Sequence, residues 1–191
     1  AMRRVFAVLL TLLVLGSPVV THAQQYGHVD LLTVNGPIDP WVEGYIRRGI
    51  RTAEREGAEA LIIVLDTPGG TLDAMQKITE QMLNARVPVV VFVYPKGAGA
   101  GSAGTFILMA ANVAAMAPGT TVGAAHPIDL SGQDIPADAR AKATNFTASM
   151  IQSIAEQRGR NAEWAARAVQ ESIAATAQEA LDLNVIDLIA D

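Results

Sequence analysis

Residues Leu61–Gly70, with the sequence LIIVLDTPGG, give the clearest indication of the fold of this 191-residue chain. Its first five residues are a continuous apolar run, which is typical of a strand covered on both faces, as in a parallel sheet. Asp66–Gly70 contains Pro68 and two glycines and predicts a turn, and a helix is predicted over Thr71–Ala85. A buried strand followed by a turn and a helix is the repeating unit of an α/β domain.

The same unit recurs on both sides of this stretch. The other predicted strands are Val29–Val34, Val87–Val93, Val113–Met116 and Thr121–Gly123, and the other predicted helices are Trp41–Glu56, Thr105–Ala111, Ala137–Arg158, Asn161–Val169 and Thr176–Leu181. The remaining segments are Gly97–Gly104, predicted as a small-residue loop, Pro127–Pro136, predicted as a mobile loop that gates a site, and Asn184–Ile189, predicted as a short strand or turn. Repeated strand–helix units predict an α/β fold with a largely parallel sheet.

The amino-acid composition limits the classes of function that the chain can have. Hydrophobic residues make up 50% of the chain and charged residues 17%, which is typical of a globular domain. The net charge is −5 and the basic residues are scattered, which argues against nucleic acid as a partner. The chain has no cysteine and three histidines. Disulfides, thiolate metal sites and a cysteine nucleophile are therefore excluded, and neither a metal nor another cofactor is expected.

The N-terminus has the pattern of a targeting signal. Two arginines precede an apolar run over Val5–Leu15, and Thr21–Ala23 resembles a small-x-small cleavage site. The alternative is a transmembrane anchor, but the run is short for a span of about 20 residues. We therefore expect a signal peptide over residues 1–23, a mature domain over residues 24–191, and export to the periplasmic or extracytoplasmic face of the membrane.

The segment Gly97–Gly104, GAGAGSAG, places Ser102 among very small residues. If this serine opens a helix, its hydroxyl is exposed and the nearby backbone N–H groups can stabilise an oxyanion. The alternative is a packing loop in which the serine caps the helix. The segment is not the G-x-S-x-G elbow of α/β-hydrolases, because Ala100 stands two residues before the serine. Both interpretations remain open on this segment alone.

Gly69 and Gly70 lie at the carboxyl end of a predicted buried strand. Without side chains, they let a substrate approach the backbone, and their N–H groups could complete an oxyanion hole. The alternative is an ordinary strand-to-helix turn. No Gly-Lys-Ser/Thr follows either glycine run, so neither is a P-loop.

A serine nucleophile needs a base. Lys142 lies in the alanine-rich segment Ala137–Ala143, where small neighbours could bury the lysine and favour its neutral form. The alternative is a solvated lysine on a helix surface. His126, in the segment Gly123–Pro127, could be the base, a substrate contact or a structural loop histidine.

Together, Leu65–Gly70, Gly101–Thr105, Gly123–Pro127 and Lys142 resemble, in order, the motifs of the NfeD-type membrane-bound serine proteases of the ClpP/crotonase superfamily. The likeness extends from about His28 to the C-terminus. It implies an α/β fold built as a ClpP/crotonase-like spiral of β-β-α units, and an ATP-independent endopeptidase with a Ser–Lys dyad.

The resemblance also implies a role for each site residue. The family's serine matches Ser102 and its lysine matches Lys142, 40 positions later. The oxyanion hole would use the N–H groups of Gly70 and Ala103, with Gly69 as a weaker contributor. ClpP itself uses a histidine as the base, so His126 remains the alternative base or a substrate contact, with Lys142 favoured.

The family's association with stomatin- or prohibitin-like membrane proteins implies a hydrophobic segment of such a protein as the substrate, and a homodimer or higher homo-oligomer is expected. Family members usually continue into transmembrane helices and a further domain, so these residues are expected to be an excised domain or a short member.

Two other functions remain open. The first is a scaffold that binds a partner without catalysis. The second is a crotonase-type acyl-CoA enzyme, against which stand the expected export and the lack of an acidic pair beside the glycine loops.

Overall fold

The computed structural model describes residues 27–126 and 137–191, so the predicted signal peptide and the loop Pro127–Pro136 lie outside the described residues. The strands are β1 (Val29–Asn35), β2 (Ala60–Asp66), β3 (Val89–Val93), β4 (Gly99–Gly101), β5 (Val113–Met116), β6 (Thr121–Gly123), β7 (Ala174–Thr176) and β8 (Leu188–Ile189). The helices are α1 (Pro40–Glu56), α2 (Leu72–Asn84), α3 (Ala103–Ala110), α4 (Ala137–Gln157), α5 (Ala162–Gln170) and α6 (Ala177–Asp182).

Two sheets organise these elements. The larger sheet has the order β1-β2-β3-β5-β8, and all of its neighbouring strands are parallel. The smaller sheet has the order β4-β6-β7, in which β4 and β6 are parallel and β6 and β7 are antiparallel. The inward-facing residues of the central strands, such as Leu61, Ile63 and Leu65 of β2, are fully buried. The apolar run Leu61–Leu65 is therefore a core strand with a paired neighbour on each side.

The chain winds as a spiral of β-β-α units. The third unit is β3, β4 and α3, and the fourth is β5, β6 and α4. The second unit adds only a single bridging residue to the small sheet, because Thr67 pairs with Ala100 before α2 begins. Each of these units contributes one strand to the large sheet and a short extended piece to the small one. This arrangement confirms the predicted α/β spiral with a largely parallel sheet.

The glycine-rich segment Gly97–Gly104 differs from its prediction as a loop. Its middle forms β4, and α3 starts at Ala103, two residues earlier than predicted. The sequence Gly-Ala-Gly has little β-propensity, but side chains this small let β4 lie directly against β2 and β6. Tertiary packing has overridden the local preference.

Helix α4 is buried over only part of its length. Its buried residues start at Thr147, and none of residues 137–146 is buried. Within the two described ranges, none of the helices combines the length and hydropathy needed to cross a bilayer.

Candidate active site

Ser102 immediately precedes α3 and has φ 48° and ψ −112°. Positive φ strains a residue with a side chain, and such strain concentrates at functional sites. The backbone N–H of Ser102 donates to the carbonyl of Gly123 at 3.1 Å, whereas its side chain does not cap the helix. Within the described residues its hydroxyl takes part in no hydrogen bond, so it remains available to a ligand.

Thr105, one helical turn later, fixes the backbone around this serine. Its side chain is fully buried, and its Oγ1 lies 2.9 Å from the carbonyl oxygen of Ala100 and 3.2 Å from that of Gly123. The Oγ1 of Thr105 also accepts a hydrogen bond from the Gly123 N–H at 3.1 Å. Strands β4 and β6 are thereby held to the first turn of α3, and the strained conformation of Ser102 is maintained from both sides.

The glycine turn after β2 packs directly on the serine. Gly69 has φ +135°, and a Cβ on it would lie 2.7 Å from the Cβ of Ser102. A Cβ on Gly70 would lie 2.0 Å from the carbonyl oxygen of Ile38. Both positions therefore require glycine, one because of the serine and the other because of the neighbouring backbone.

The turn and the start of α3 offer two free backbone donors. The N–H of Gly69 is already bonded to Oγ1 of Thr67 at 3.1 Å, so Gly69 contributes to the site by having no side chain rather than as a donor. Among the hydrogen bonds of the described residues, the N–H groups of Gly70 and Ala103 have no acceptor. These are the two groups that the sequence interpretation gave to the oxyanion hole, and both residues line the same cleft as Ser102.

Ser102 opens into an apolar cleft of about 510 Å³, a volume in the usual range for ligand sites. The lining residues are Pro37, Pro68, Gly69, Gly70, Leu72, Met75, Ser102, Ala103, Phe106, Ala124, Ala125, His126, Thr147 and Ser172. None of them is acidic, and most of the larger side chains are apolar. The described part of the cleft wall is therefore mainly apolar.

His126 lies on the wall of this cleft and also on a second cleft beside α4. Its Nδ1 is 2.9 Å from the carbonyl oxygen of Val169, which can only accept a hydrogen bond. Nδ1 must therefore carry the proton, and in the neutral ring Nε2 is the acceptor. The backbone of α5 thus fixes the tautomer of His126 without an aspartate.

Lys142 lies in the second turn of α4 with its side chain exposed, and it lines neither cleft. This exposure matches the alternative that the sequence left open, a solvated lysine on a helix surface, and none of residues 137–146 is buried. Thr147, on the same helix, does line the serine's cleft. Five residues of α-helix place Lys142 about 7.5 Å along the axis from Thr147 and about 140° around it. The structure therefore brings together every predicted site residue except Lys142.

Among residues 27–126 and 137–191, no group of three or more histidine, cysteine, aspartate or glutamate side chains is placed to hold a metal ion. Of the candidate groups predicted from the sequence, Ser102, His126, Gly69, Gly70 and Ala103 line this cleft.

Several cleft residues were not identified from the sequence. Leu72 and Met75 are three positions apart on α2, directly after the glycine turn, and this helical spacing is a signal that could have been used. Ala124 and Ser172 could not have been found this way. They share positive φ values with Ser102, 51° and 58°, but a positive φ at a non-glycine residue leaves no local sequence pattern.

The spiral of β-β-α units, with a strained serine at a helix N-terminus beside a glycine turn, defines a domain of the ClpP-like class. Residues 28–191 match the family model described as NfeD1b, N-terminal domain, and the chain belongs to that family.

Two curated relatives cover different shares of the chain. Over 190 residues it is 38% identical to the membrane-bound protease PH1510 of Pyrococcus horikoshii, which is 99% of this chain and 42% of the relative. Over 114 residues it is 28% identical to the membrane protein NfeD1b of Bacillus subtilis, which is 60% of this chain and 25% of the relative. The chain thus spans less than half the length of the curated relatives it matches.

The solved structures agree with this assignment. A serine-to-alanine mutant of the 1510-N membrane-bound stomatin-specific protease matches with a TM-score of 0.79 at 38% identity, over 86% of this chain and 80% of that chain. A lysine-to-alanine mutant of the same protease, in complex with a substrate peptide, matches with the same TM-score and identity over 86% of this chain and 75% of that chain.

Proposed function

We propose that this domain is an ATP-independent serine endopeptidase that cleaves a hydrophobic segment of a stomatin- or prohibitin-like protein. The observation that carries the proposal is the strained Ser102, which lines an apolar cleft together with Gly70 and Ala103. Within the described residues, neither the serine hydroxyl nor the N–H groups of Gly70 and Ala103 take part in a hydrogen bond. The solved relative is described as stomatin-specific, and its lysine mutant was obtained with a substrate peptide. An apolar cleft without acidic groups fits a substrate of that kind.

In the proposed reaction, Ser102 Oγ attacks the scissile carbonyl carbon and Lys142, in its neutral form, takes the hydroxyl proton. The N–H groups of Gly70 and Ala103 stabilise the oxyanion. The C–N bond then breaks as the lysine returns the proton to the leaving amine, and water hydrolyses the acyl ester. The mutated serine and lysine of the solved relatives are separated by one residue more than Ser102 and Lys142, which supports this pair.

The proposal is tested by incubating the domain with an apolar peptide taken from the sequence of a stomatin-like protein, in buffer without nucleotide. Wild type should cleave it, and Ser102→Ala should bind it without turnover. A scaffold that only recruits a partner would bind the peptide equally in both proteins and cleave it in neither.

The domain also forms a homodimer or a higher homo-oligomer in this proposal. Phe146 is 56% exposed and lies four residues after Lys142, on the same side of α4. A second copy packed over this side would cover the phenylalanine and remove water from around the lysine, which favours the neutral form that a base needs.

Analytical ultracentrifugation checks the assembly. Wild type should sediment as a dimer or larger species, and Phe146→Ser should shift the equilibrium toward monomer and lower the peptidase rate by about tenfold, because loss of a buried aromatic anchor typically costs more than about 1 kcal/mol. The matched control is Leu188→Ser, which changes a 41% exposed residue on edge strand β8. A monomeric wild type with full activity would contradict the proposal.

The same proposal places the domain outside the cytoplasm, with residues 1–23 removed as a signal peptide. Expressed with its own N-terminus in a bacterium, the protein should be found in the periplasmic fraction, and intact mass should show a chain beginning near Gln24. Recovery from the cytosol with the Arg3-Arg4 pair still present would contradict export.

A further inference from the structure

The C-terminal end of α3 is held by two arginines that follow α4. Arg158 donates from Nε to the carbonyl of Ala110 at 2.8 Å. Arg160 donates from one terminal nitrogen, Nη1, to the carbonyls of Met109 and Ala111 at 2.9 and 2.8 Å. These are carbonyls that a helix leaves without intrahelical partners, at the negative end of its dipole. Two guanidinium groups therefore cap a helix of eight residues.

Burying these two arginine side chains side by side costs free energy. The side chain of Arg160 is 2% exposed, its Nε has no partner among the described residues, and its other terminal nitrogen is paired with Asp187. Burial and, next, the positive charge of Arg160 lower the pKa of Arg158 below its usual value. Bringing two like charges into a partly dry site is unfavourable, and an ordinary helix C-terminus is satisfied by water or by a glycine cap.

The arginines also join the far ends of the helices that form the cleft. Arg158 is the first residue after α4, and it donates from Nη2 to the carbonyl of Met82, in the last turn of α2, at 3.3 Å. Toward their other ends, these helices supply the walls of the cleft. Helix α2 contributes Leu72 and Met75, α3 begins next to Ser102, and α4 contributes Thr147. We define Arg158 and Arg160 with the α3 carbonyls they hold as the arginine clamp.

We propose that Arg158 and Arg160 are positioning residues of the active site, because the arginine clamp fixes α3 along its axis and so fixes Ser102 and the Ala103 N–H relative to Gly70. The inference rests on the proposed serine peptidase. Helix α3 is about 12 Å long and its residues 103–110 are all buried, so it moves as a rigid rod. A displacement at its C-terminal end is therefore passed to the serine, and a misplacement of about 1 Å can cost about 100-fold in rate.

The test is Arg158→Met, which keeps the apolar stem and removes the side-chain donors of Arg158 to Ala110 in α3 and Met82 in α2. Arg158 is only partly buried, so the variant is expected to fold. Two quantities are measured well below the midpoint of thermal unfolding, namely the rate at which a fluorophosphonate labels Ser102 and the kcat and KM for the apolar peptide. We expect labelling and kcat to fall by about tenfold or more while KM stays within about twofold. Arg158→Lys keeps the charge but cannot bridge two carbonyls in the same way, and it should recover part of the loss.

Arg167→Met is the matched control, because this exposed arginine pairs with Glu171, at the end of α5, and its side chain has no hydrogen bond to α3. If Arg158→Met does not fold, Arg160→Lys replaces it under the same criteria, since it retains a positive charge opposite Asp187 while losing the forked contact. Unchanged labelling and kcat, or a change confined to KM, would overturn the inference. Failure of the proposed function is distinct, since wild type itself would then neither be labelled nor cleave the peptide.

Discussion

Replacing Ser102 by alanine should abolish both fluorophosphonate labelling and cleavage of the apolar peptide, while the protein stays folded. Loss of the nucleophile in a serine hydrolase lowers kcat on the order of 10⁶-fold, which is beyond the range of a normal peptidase assay. The thermal midpoint should stay close to that of wild type. The hydroxyl has no hydrogen bond to lose within the described residues, and alanine meets the same positive-φ strain as serine.

The control for this variant is Ser153→Ala, which changes an exposed residue of α4 and should leave labelling and turnover unchanged. Peptide binding provides a further comparison, because Ser102→Ala retains the cleft and should bind the peptide with about the affinity of wild type. Normal cleavage by Ser102→Ala would show that the strained serine is not the nucleophile.

Much of the fold could be predicted because its signals are local. Strands β2 and β3 are identified by two apolar runs, Leu61–Leu65 and the run that ends at Val93. Glycine and proline residues between the runs mark the turns and so delimit the helices around them. Strand β4 could not be predicted in this way. Gly99–Gly101 has no strand propensity, and it is extended only because β6 lies on one side of it and Thr67 on the other. Its conformation depends on pairings between residues that are distant in the sequence.

The candidate site likewise contains residues that local sequence patterns identify and contacts that such patterns do not show. Ser102 and the glycine turn could be identified because each belongs to a short motif, and the structure places Gly69 against the serine side chain. The hydrogen bond from the Gly69 N–H to Thr67 is invisible in the sequence, so the pattern alone could not distinguish the donor Gly70 from its neighbour. Lys142 is a different case. The alanines around it permit burial, but in the described structure the lysine side chain is exposed.

The choice of base can be decided by the pH dependence of kcat in wild type beside Lys142→Ala and His126→Ala. We expect Lys142→Ala to lose about 100- to 10,000-fold, the usual contribution of a general base, and His126→Ala to lose much less. A lysine base must be neutral, so the wild-type rate should keep rising on the alkaline side of neutrality. A histidine base would instead give a rise completed between about pH 5 and 8.

The structure makes this experiment informative because it places His126, and not Lys142, on the wall of the cleft. His126 already lies on the cleft wall with its tautomer fixed by Val169, whereas Lys142 must reach the serine through a change in the first turns of α4 or through assembly with a second copy. Lys96→Ala is the control for loss of a positive charge, since this exposed lysine pairs with Asp191. Loss confined to His126→Ala, with a rate that levels off near neutral pH, would assign the chemistry to a Ser–His pair and leave Lys142 as a surface residue.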